Sequence, residues 1–235
     1  MQVMTLASQK GGSGKTTLVG HLAVQAARSG AGRIAVIDTD PQASLADWWN
    51  AREPDTPEFV QTTVERLGRD LGTLEAMGVD LVVVDTPPAI TETITRVVGV
   101  SNLVVVPTRP SPHDLRAAGA TVELVEAAGK PLVFVVNAAT QRARITSEAA
   151  IALSQHGTVA PTTLHQRTDF AAAMIDGRTV MELPKSSKSS EEVAGLWRYL
   201  DGRLRGGQRQ TVLTGSDHAT AGARKSAVIP EAASA

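Results

Sequence analysis

Five short runs of apolar, mostly β-branched residues recur along the chain, and no other feature restricts its fold as strongly. They are residues 3–8, 33–38, 80–85, 102–108 and 131–137. Each run is apolar at successive positions, which is typical of parallel strands covered by helices on both faces. Helical patterns separate the runs, and such alternation requires right-handed crossovers. We therefore expect an α/β fold with a doubly wound, mostly parallel sheet flanked by helices.

The intervening segments have the apolar spacing of amphipathic helices. They are residues 16–29, 44–52, 64–77, 91–98, 112–128, 145–156, 169–175 and 190–205, with a weak strand signal at 157–164. Their ends carry the expected signals. Gly30 follows the first helix as a left-handed stop, and Ser111 precedes Pro112 as an N-cap.

Composition limits the classes of protein that remain. The 235 residues are 42% apolar, which suits one large domain, over 1–205; residues 206–235 lack periodicity and predict a disordered tail. A net charge of −1 gives no bulk attraction to nucleic acid or membrane, so such binding needs a local patch. The absence of cysteine excludes disulfides and thiolate metal sites, and we expect a cytoplasmic protein.

The stretch SQKGGSGKTTL (8–18) lies between the first predicted strand and the first predicted helix. Glycines there let backbone N–H groups surround an anion, and the helix N-terminus adds partial positive charge. In such a phosphate loop Lys15 reaches the outer phosphates, the Thr16 hydroxyl ligates Mg²⁺ and Thr17 donates to the inner phosphate. The predicted nucleotide-binding residues are Gly11, Gly12, Ser13, Gly14, Lys15, Thr16 and Thr17.

The loop departs from the common phosphate-binding pattern, because Gln9 stands where that pattern requires glycine and a second lysine, Lys10, follows. Two acidic strand ends add to the site. Asp85 ends a buried aliphatic run, the Walker B pattern, and should hold Mg²⁺ through water. Asp38 and Asp40 follow the second run, where parallel strands open onto a ligand crevice, although a turn or cap role for Asp40 is an equal alternative.

Together these stretches resemble the ParA/MinD family of dimeric P-loop ATPases, whose deviant Walker A motif is similar to KGGSGKTT here. The similarity continues through VIDTDPQASLADWW (36–49), VVVDTPP (82–88), VVVPTRPSPHDLRAAG (104–119) and TLHQRTDFAAAMIDGRTVMEL (163–183). A first strand at the start of the chain resembles the small, ParF-like plasmid and chromosome partition members.

The resemblance implies ATP and Mg²⁺ as cofactors, slow ATP hydrolysis and a homodimer formed on ATP. It implies that Lys10 reaches the partner's nucleotide in trans, as an arginine finger does. By the same resemblance Asp38 activates or orients the attacking water. Asp40 and Pro41 belong to a switch segment.

Three further assignments follow from the resemblance. Asn137 recognises adenine through its amide, with a strand-terminal turn as the alternative. Arg109 and Asp114 contribute to the dimer interface. Family members active in partition bind DNA non-specifically as ATP dimers; the candidate contacts here are Arg167, Arg178, Lys185 and Lys188, with Arg198, Arg203 and Arg205 beyond them. Interspersed acidic residues make a solvated surface the alternative.

The expected partners are DNA and a small centromere-binding or cargo-adaptor protein that stimulates hydrolysis, and filaments are an open alternative. In the ATP state the protein should associate with the nucleoid. The same cycle could instead position a protein cargo such as a microcompartment or chemoreceptor cluster. A MinD-like membrane regulator is disfavoured by a C-terminus poor in Leu, Ile and Phe. The histidines lack metal-ligand spacing, and an iron–sulfur relative would need cysteine.

Overall fold

The computed structural model describes residues 1–88 and 92–217. Its strands are β1 (Gln2–Leu6), β2 (Ile34–Asp38), β3 (Glu58–Gln61), β4 (Leu81–Asp85), β5 (Leu103–Thr108), β6 (Leu132–Val136) and β7 (Thr158–Val159). They form one sheet in the order β3-β2-β4-β1-β5-β6-β7, with every neighbouring pair parallel. The predicted α/β fold is confirmed.

The helices are α1 (Lys15–Arg28), α2 (Ser44–Asn50), α3 (Leu67–Ala76), α4 (Glu92–Val100), α5 (Pro112–Ala127), α6 (Arg144–Ser154), α7 (Thr168–Met174) and α8 (Lys188–Asp217). The predicted helix stop and helix N-cap are both found in the structure. Gly30 has φ 76° just after α1, and the Ser111 side chain accepts a hydrogen bond from the Asp114 N–H at 3.2 Å.

The two faces of the sheet bury separate apolar layers, as the unbroken apolar strands predict. In β4, Leu81 and Val83 pack toward the layer of α1, α2, α7 and α8. Val82 and Val84 pack on the opposite face, where α3 and α4 lie, and α5 and α6 cover the same face beyond β1.

The edge strand β3 is absent from the sequence prediction. It contains Glu58 and Gln61 beside Phe59 and Val60, and its first three residues are only half-buried. An edge strand of this kind has neither a continuous apolar run nor a strict alternation, so the pattern of period two is lost.

The helix α8 continues to Asp217, past residue 205 at which the domain is predicted to end. Gly206 and Gly207 each lower helix stability by about 1 kcal/mol relative to alanine without removing a backbone donor. The prediction for 218–235 lies outside the described residues, as does Thr91 of the predicted fourth helix. Among the described residues, no helix combines the length and hydropathy required to cross a bilayer.

The strand register places the functional candidates together. Asp85 at the end of β4 pairs in register with Leu6 of β1 and with Asp38 of β2. The loop that follows β1 therefore lies beside both carboxylates, at the carboxyl edge where open parallel sheets bind ligands.

Candidate functional site

The loop between β1 and α1 has the backbone of an anion cradle. Gly12 and Gly14 have φ of 75° and 91°, a region that L-residues with side chains rarely adopt. Gly14 occupies the N-cap of α1 and has no side chain to cap it. The N–H groups of the first turn are thus available to a ligand, and the helix dipole favours an anionic one.

Asn137, directly after β6, supports this loop from behind. Its Nδ2 donates to the Ser13 carbonyl at 2.7 Å. A Cβ on Gly14 would lie 2.4 Å from the same nitrogen, so glycine is required there by contact as well as by φ. The adenine contact implied by the resemblance stays a prediction, and in the structure the amide nitrogen is engaged by the loop.

Lys15 projects from the start of α1 with only 7% of its surface exposed. Its Nζ lies 3.4 Å from the Ser8 carbonyl oxygen. Burial lowers the pKa of Lys15, while the charges of Asp85 and Asp40 partly oppose that change. A buried ammonium with one weak hydrogen bond among the described residues is well placed to be compensated by a phosphate group.

Thr16 and Asp85 bring two hard oxygen atoms together. The Thr16 hydroxyl donates to Asp85 Oδ2 at 2.6 Å, and the Thr86 N–H donates to Oδ1 at 3.0 Å. Burial raises the pKa of Asp85 to about 7, and the nearby charge of Asp38 adds to the rise. A buried carboxylate of this kind favours a cation beside it.

This oxygen pair fits Mg²⁺, which prefers hydroxyl and carboxylate ligands and shares its coordination with phosphates and water. Thr16 and Asp85 would hold the ion, which when bound neutralises charge on phosphate oxygens. Within the described ranges no group of three or more His, Cys, Asp or Glu side chains could hold a metal on its own.

Asp38 is held by the backbone of the segment that follows it. Its Oδ1 accepts the Asp40 N–H at 2.9 Å, and its Oδ2 accepts the N–H groups of Leu45 and Ala46 at 3.1 and 3.3 Å. Burial raises the pKa of Asp38, although these hydrogen bonds oppose the rise. The carboxylate therefore caps α2 while it faces Asp85. Asp40 accepts the Gln42 N–H at 3.0 Å, which is a turn role.

Lys10 lies outside the cavity that its own loop lines. Its Nζ contacts Asp114 Oδ2 at 2.7 Å, with the lysine side chain 40% and the aspartate 6% exposed. Burial alone would raise the pKa of Asp114, but hydrogen bonds from Lys10 and Ser111 lower it overall. The second lysine is thus held against the N-terminus of α5, away from the phosphates its own loop would bind.

A cavity of about 590 Å³ opens over the phosphate loop. One side is formed by Gly11, Gly12, Gly14, Lys15, Thr16 and Thr17, and the other by Asp40, Gln42, Ser44, Asp47, Trp48, Ala51, Pro88, Met174 and Ile175. The loop residues were predicted. The contributions of Asp47, Met174 and Ile175 were not, because their segments read as ordinary helical surface.

A buried network joins α2 to the segment after α7. Arg52 donates to both carboxylate oxygens of Glu182 at 3.1 and 2.9 Å and lies 4.8 Å above the Trp48 ring. Burial alone would raise the pKa of Glu182, but the Arg52 and Thr179 hydrogen bonds lower it. Trp48 also packs on Gly20 of α1, where an added Cβ would lie 3.1 Å from the indole. Trp48 is therefore a packing residue that also lines the cavity.

The four candidate DNA contacts fall into two groups. Arg167 is paired with Glu192 at 2.5 Å and Arg178 with Asp176 at 2.6 Å, so each guanidinium group already has an acidic partner. Lys185 and Lys188 are exposed and have no ion pair with any described residue. Lys188 begins α8, whereas Lys185 precedes the helix.

The chain is similar to known nucleotide-binding proteins. Residues 4–180 match the model of the CobQ/CobB/MinD/ParA nucleotide binding domain. Over 198 residues, the chain is 28% identical to maintenance of carboxysome distribution protein A of Halothiobacillus neapolitanus, covering 80% of this chain and 91% of that protein. It is 31% identical over 160 residues to the chromosome-partitioning ATPase Soj of Thermus thermophilus, covering 54% and 64%.

Among solved structures, a McdA variant from Cyanothece in complex with ATP superposes with a TM-score of 0.68. The identity is 16%, and the match covers 86% of this chain and 96% of that one. At this identity the likeness establishes the shared fold alone.

Proposed function

This chain belongs to the CobQ/CobB/MinD/ParA family of nucleotide-binding proteins, and on that basis we propose that it is an ATPase that positions cargo. In this proposal it closes into a homodimer on Mg²⁺–ATP, binds DNA non-specifically in that state and hydrolyses ATP slowly. The observation that carries the proposal is the buried Lys15 beside Thr16 and Asp85, with a second lysine turned out of its own cavity.

Each residue of the site has a separate role in the proposed reaction. The loop N–H groups and Lys15 bind the phosphates, and Thr16 and Asp85 hold the cation that shares them. Asp38 orients the attacking water from the edge of β2. Lys10 releases Asp114 and reaches the partner's phosphates, which adds positive charge only when two subunits have closed.

Lys185 and Lys188 are the DNA contacts we favour, since both are exposed and unpaired among the described residues. A dimer presents each lysine twice, which suits weak, salt-sensitive binding to phosphates that is gained on ATP and lost on hydrolysis. The ATP-bound dimer would then associate with the nucleoid. A small adaptor protein that links the ATPase to its cargo would stimulate hydrolysis.

The cargo is either a plasmid or chromosome, or a protein assembly. The similarity to Soj favours the first. The similarity to maintenance of carboxysome distribution protein A favours a protein assembly, and that match extends over larger shares of both chains. Both candidates use the same nucleotide cycle on DNA, and they differ only in the adaptor that the dimer engages.

The test is binding to a random-sequence DNA duplex with ADP and with ATP, at two salt concentrations. Wild type should bind only with ATP and more weakly at the higher salt. Lys10→Ala should abolish DNA binding. Lys130 precedes β6, at the amino ends of the strands, so the control variant Lys130→Ala should bind DNA as wild type does. Absence of DNA binding in every nucleotide state would reject the DNA part of the proposal and leave the ATPase to be tested on protein surfaces.

The role of Asp38 is tested separately. Asp38→Ala should retain ATP binding and lose turnover, because the phosphate loop and Lys15 are left in place. Unchanged turnover would remove Asp38 from the chemistry. Asp38→Asn is the control for the cap on α2, since an amide oxygen can still accept the Leu45 and Ala46 N–H groups.

A further inference from the structure

Ile175, the residue after α7, has 83% of its surface exposed. Together with Met174 it forms an apolar wall at the mouth of the nucleotide cavity. Other large apolar residues are exposed on the described surface, namely Met77, Val100, Ile145 and Ile151. None of these four lines the cavity, so Ile175 differs from them in position as well as in exposure.

The backbone around Ile175 is anchored, so its side chain has little freedom to fold inward. Gly177 has φ 74°, and a Cβ there would lie 2.4 Å from the Arg52 backbone nitrogen. The Gly177 carbonyl accepts a hydrogen bond from Arg52 Nη1 at 2.6 Å. The next carbonyl, of Arg178, accepts one from Trp48 Nε1 at 3.3 Å. The outward position of Ile175 is therefore maintained by the buried network behind it.

The charges around the mouth indicate what covers this wall. Asp40 and Asp47 lie on the side of α2. On the other side is Arg109, whose Nη2 would lie 3.9 Å from a Cβ on Gly12. Lys10 belongs to the same loop and is paired with Asp114. A surface with negative and positive charges side by side is not complementary to the uniformly negative DNA backbone or to an anionic membrane. It is complementary to a second copy of the same surface, turned by a two-fold rotation.

We propose that a second copy of this chain covers Ile175 and Met174 when two cavities close on nucleotide, so that the dimer completes the apolar side of each site. The inference rests on the proposed ATP-dependent dimer and adds the surface that stabilises it. Because a two-fold contact is made twice, both copies of Ile175 leave water together. Burial of each isoleucine side chain strengthens association roughly tenfold or more.

The experiment measures the dimer dissociation constant by sedimentation in Mg²⁺–ATPγS and in Mg²⁺–ADP. The variants are Ile175→Ser and the matched control Ile151→Ser, an isoleucine on α6 with 63% of its surface exposed. Both positions are exposed, so both variants should fold, and thermal unfolding checks this. Because both copies are changed, Ile175→Ser should weaken the ATPγS dimer roughly a hundredfold or more, and Ile151→Ser should dimerise as wild type does. The nucleotide affinity of monomeric Ile175→Ser is measured separately.

A second measurement tests whether the covering chain is a second copy. The protein has no cysteine, so Ile175→Cys introduces a single thiol whose rate of reaction with a maleimide reports its exposure. The reaction should be fast with ADP and slow with ATPγS, the protection should grow with protein concentration, and Ile151→Cys should react equally fast in both states; equal rates for Ile175→Cys in both states would overturn the inference.

The outcomes separate this inference from the proposed function. If wild type dimerises on ATPγS and Ile175→Ser dimerises equally well, the inference is overturned while the dimer stands. Loss of nucleotide binding in monomeric Ile175→Ser would also overturn it, because the wall would then serve the nucleotide. If wild type never dimerises, the proposed dimer and this inference fail together.

Discussion

His21, in the second turn of α1, should make the stability of the protein fall as the pH is lowered from 7 to 5. The ring is fully buried. Its Nε2 accepts the Val180 N–H at 3.2 Å, so the proton lies on Nδ1, which donates to the Thr17 carbonyl at 2.7 Å. Burial lowers the pKa of His21 to about 4, and the Arg52 charge adds to the decrease, whereas the Thr17 carbonyl and the Glu182 charge oppose it.

The size of the effect follows from the two states of the histidine. In the unfolded chain the pKa is 6.5, and in the folded protein it is about 4. Between these values the unfolded state binds more protons, so the free energy of unfolding falls as pH decreases through this window. Integration from pH 7 to pH 5 gives a loss of about 2 kcal/mol for this side chain.

The assay is urea unfolding of wild type and His21→Gln at pH 7, 6 and 5. Glutamine does not titrate, and the other ionisable groups are common to both proteins, so their contributions largely cancel in the difference. The stability advantage of wild type over the variant should shrink by about 2 kcal/mol between pH 7 and pH 5. Parallel pH dependences would refute the reasoning, as would a ring-proton NMR signal that titrates near pH 6.5 in the folded protein.

The remaining predictions concern three side-chain contacts. Asp114→Asn should release Lys10 and allow dimerisation at lower ATP concentration; an unchanged threshold in sedimentation would show that the ion pair does not restrain the lysine. Asn137→Ala removes the donor to the phosphate loop and should weaken ATP binding roughly fivefold, about 1 kcal/mol; equal affinity in calorimetric titration would remove that supporting role. Glu182→Gln leaves the Arg52 charge buried without a counter-charge and should lower the free energy of unfolding by about 3 kcal/mol. A much smaller decrease in the free energy of unfolding, measured by urea unfolding, would contradict this prediction.

The sequence determined those features that depend on neighbouring residues. Apolar runs with no polar interruption predicted the central strands, and the glycines between the first strand and helix predicted the phosphate loop. Asp85 and Asp38 were assigned to the site because carboxyl ends of parallel strands open at one edge. The edge strand β3 was missed because its half-buried residues carry no clear period.

Contacts between distant segments were decided only by the tertiary structure. Asn137 and Ser13 are 124 positions apart, and nothing in either segment indicates that the amide supports the loop. The same holds for Lys10 with Asp114, 104 positions apart, and for Arg52 with Glu182, 130 positions apart.

A local pattern shows which face of an element is apolar, but only the packing of those faces shows which polar groups meet. For this reason the sequence offered Arg167 as a candidate DNA contact without showing its partner, whereas in the fold its guanidinium is paired with Glu192. Ile175 read as part of a helical surface, whereas the anchoring of Gly177 against α2 holds it at the mouth of the site.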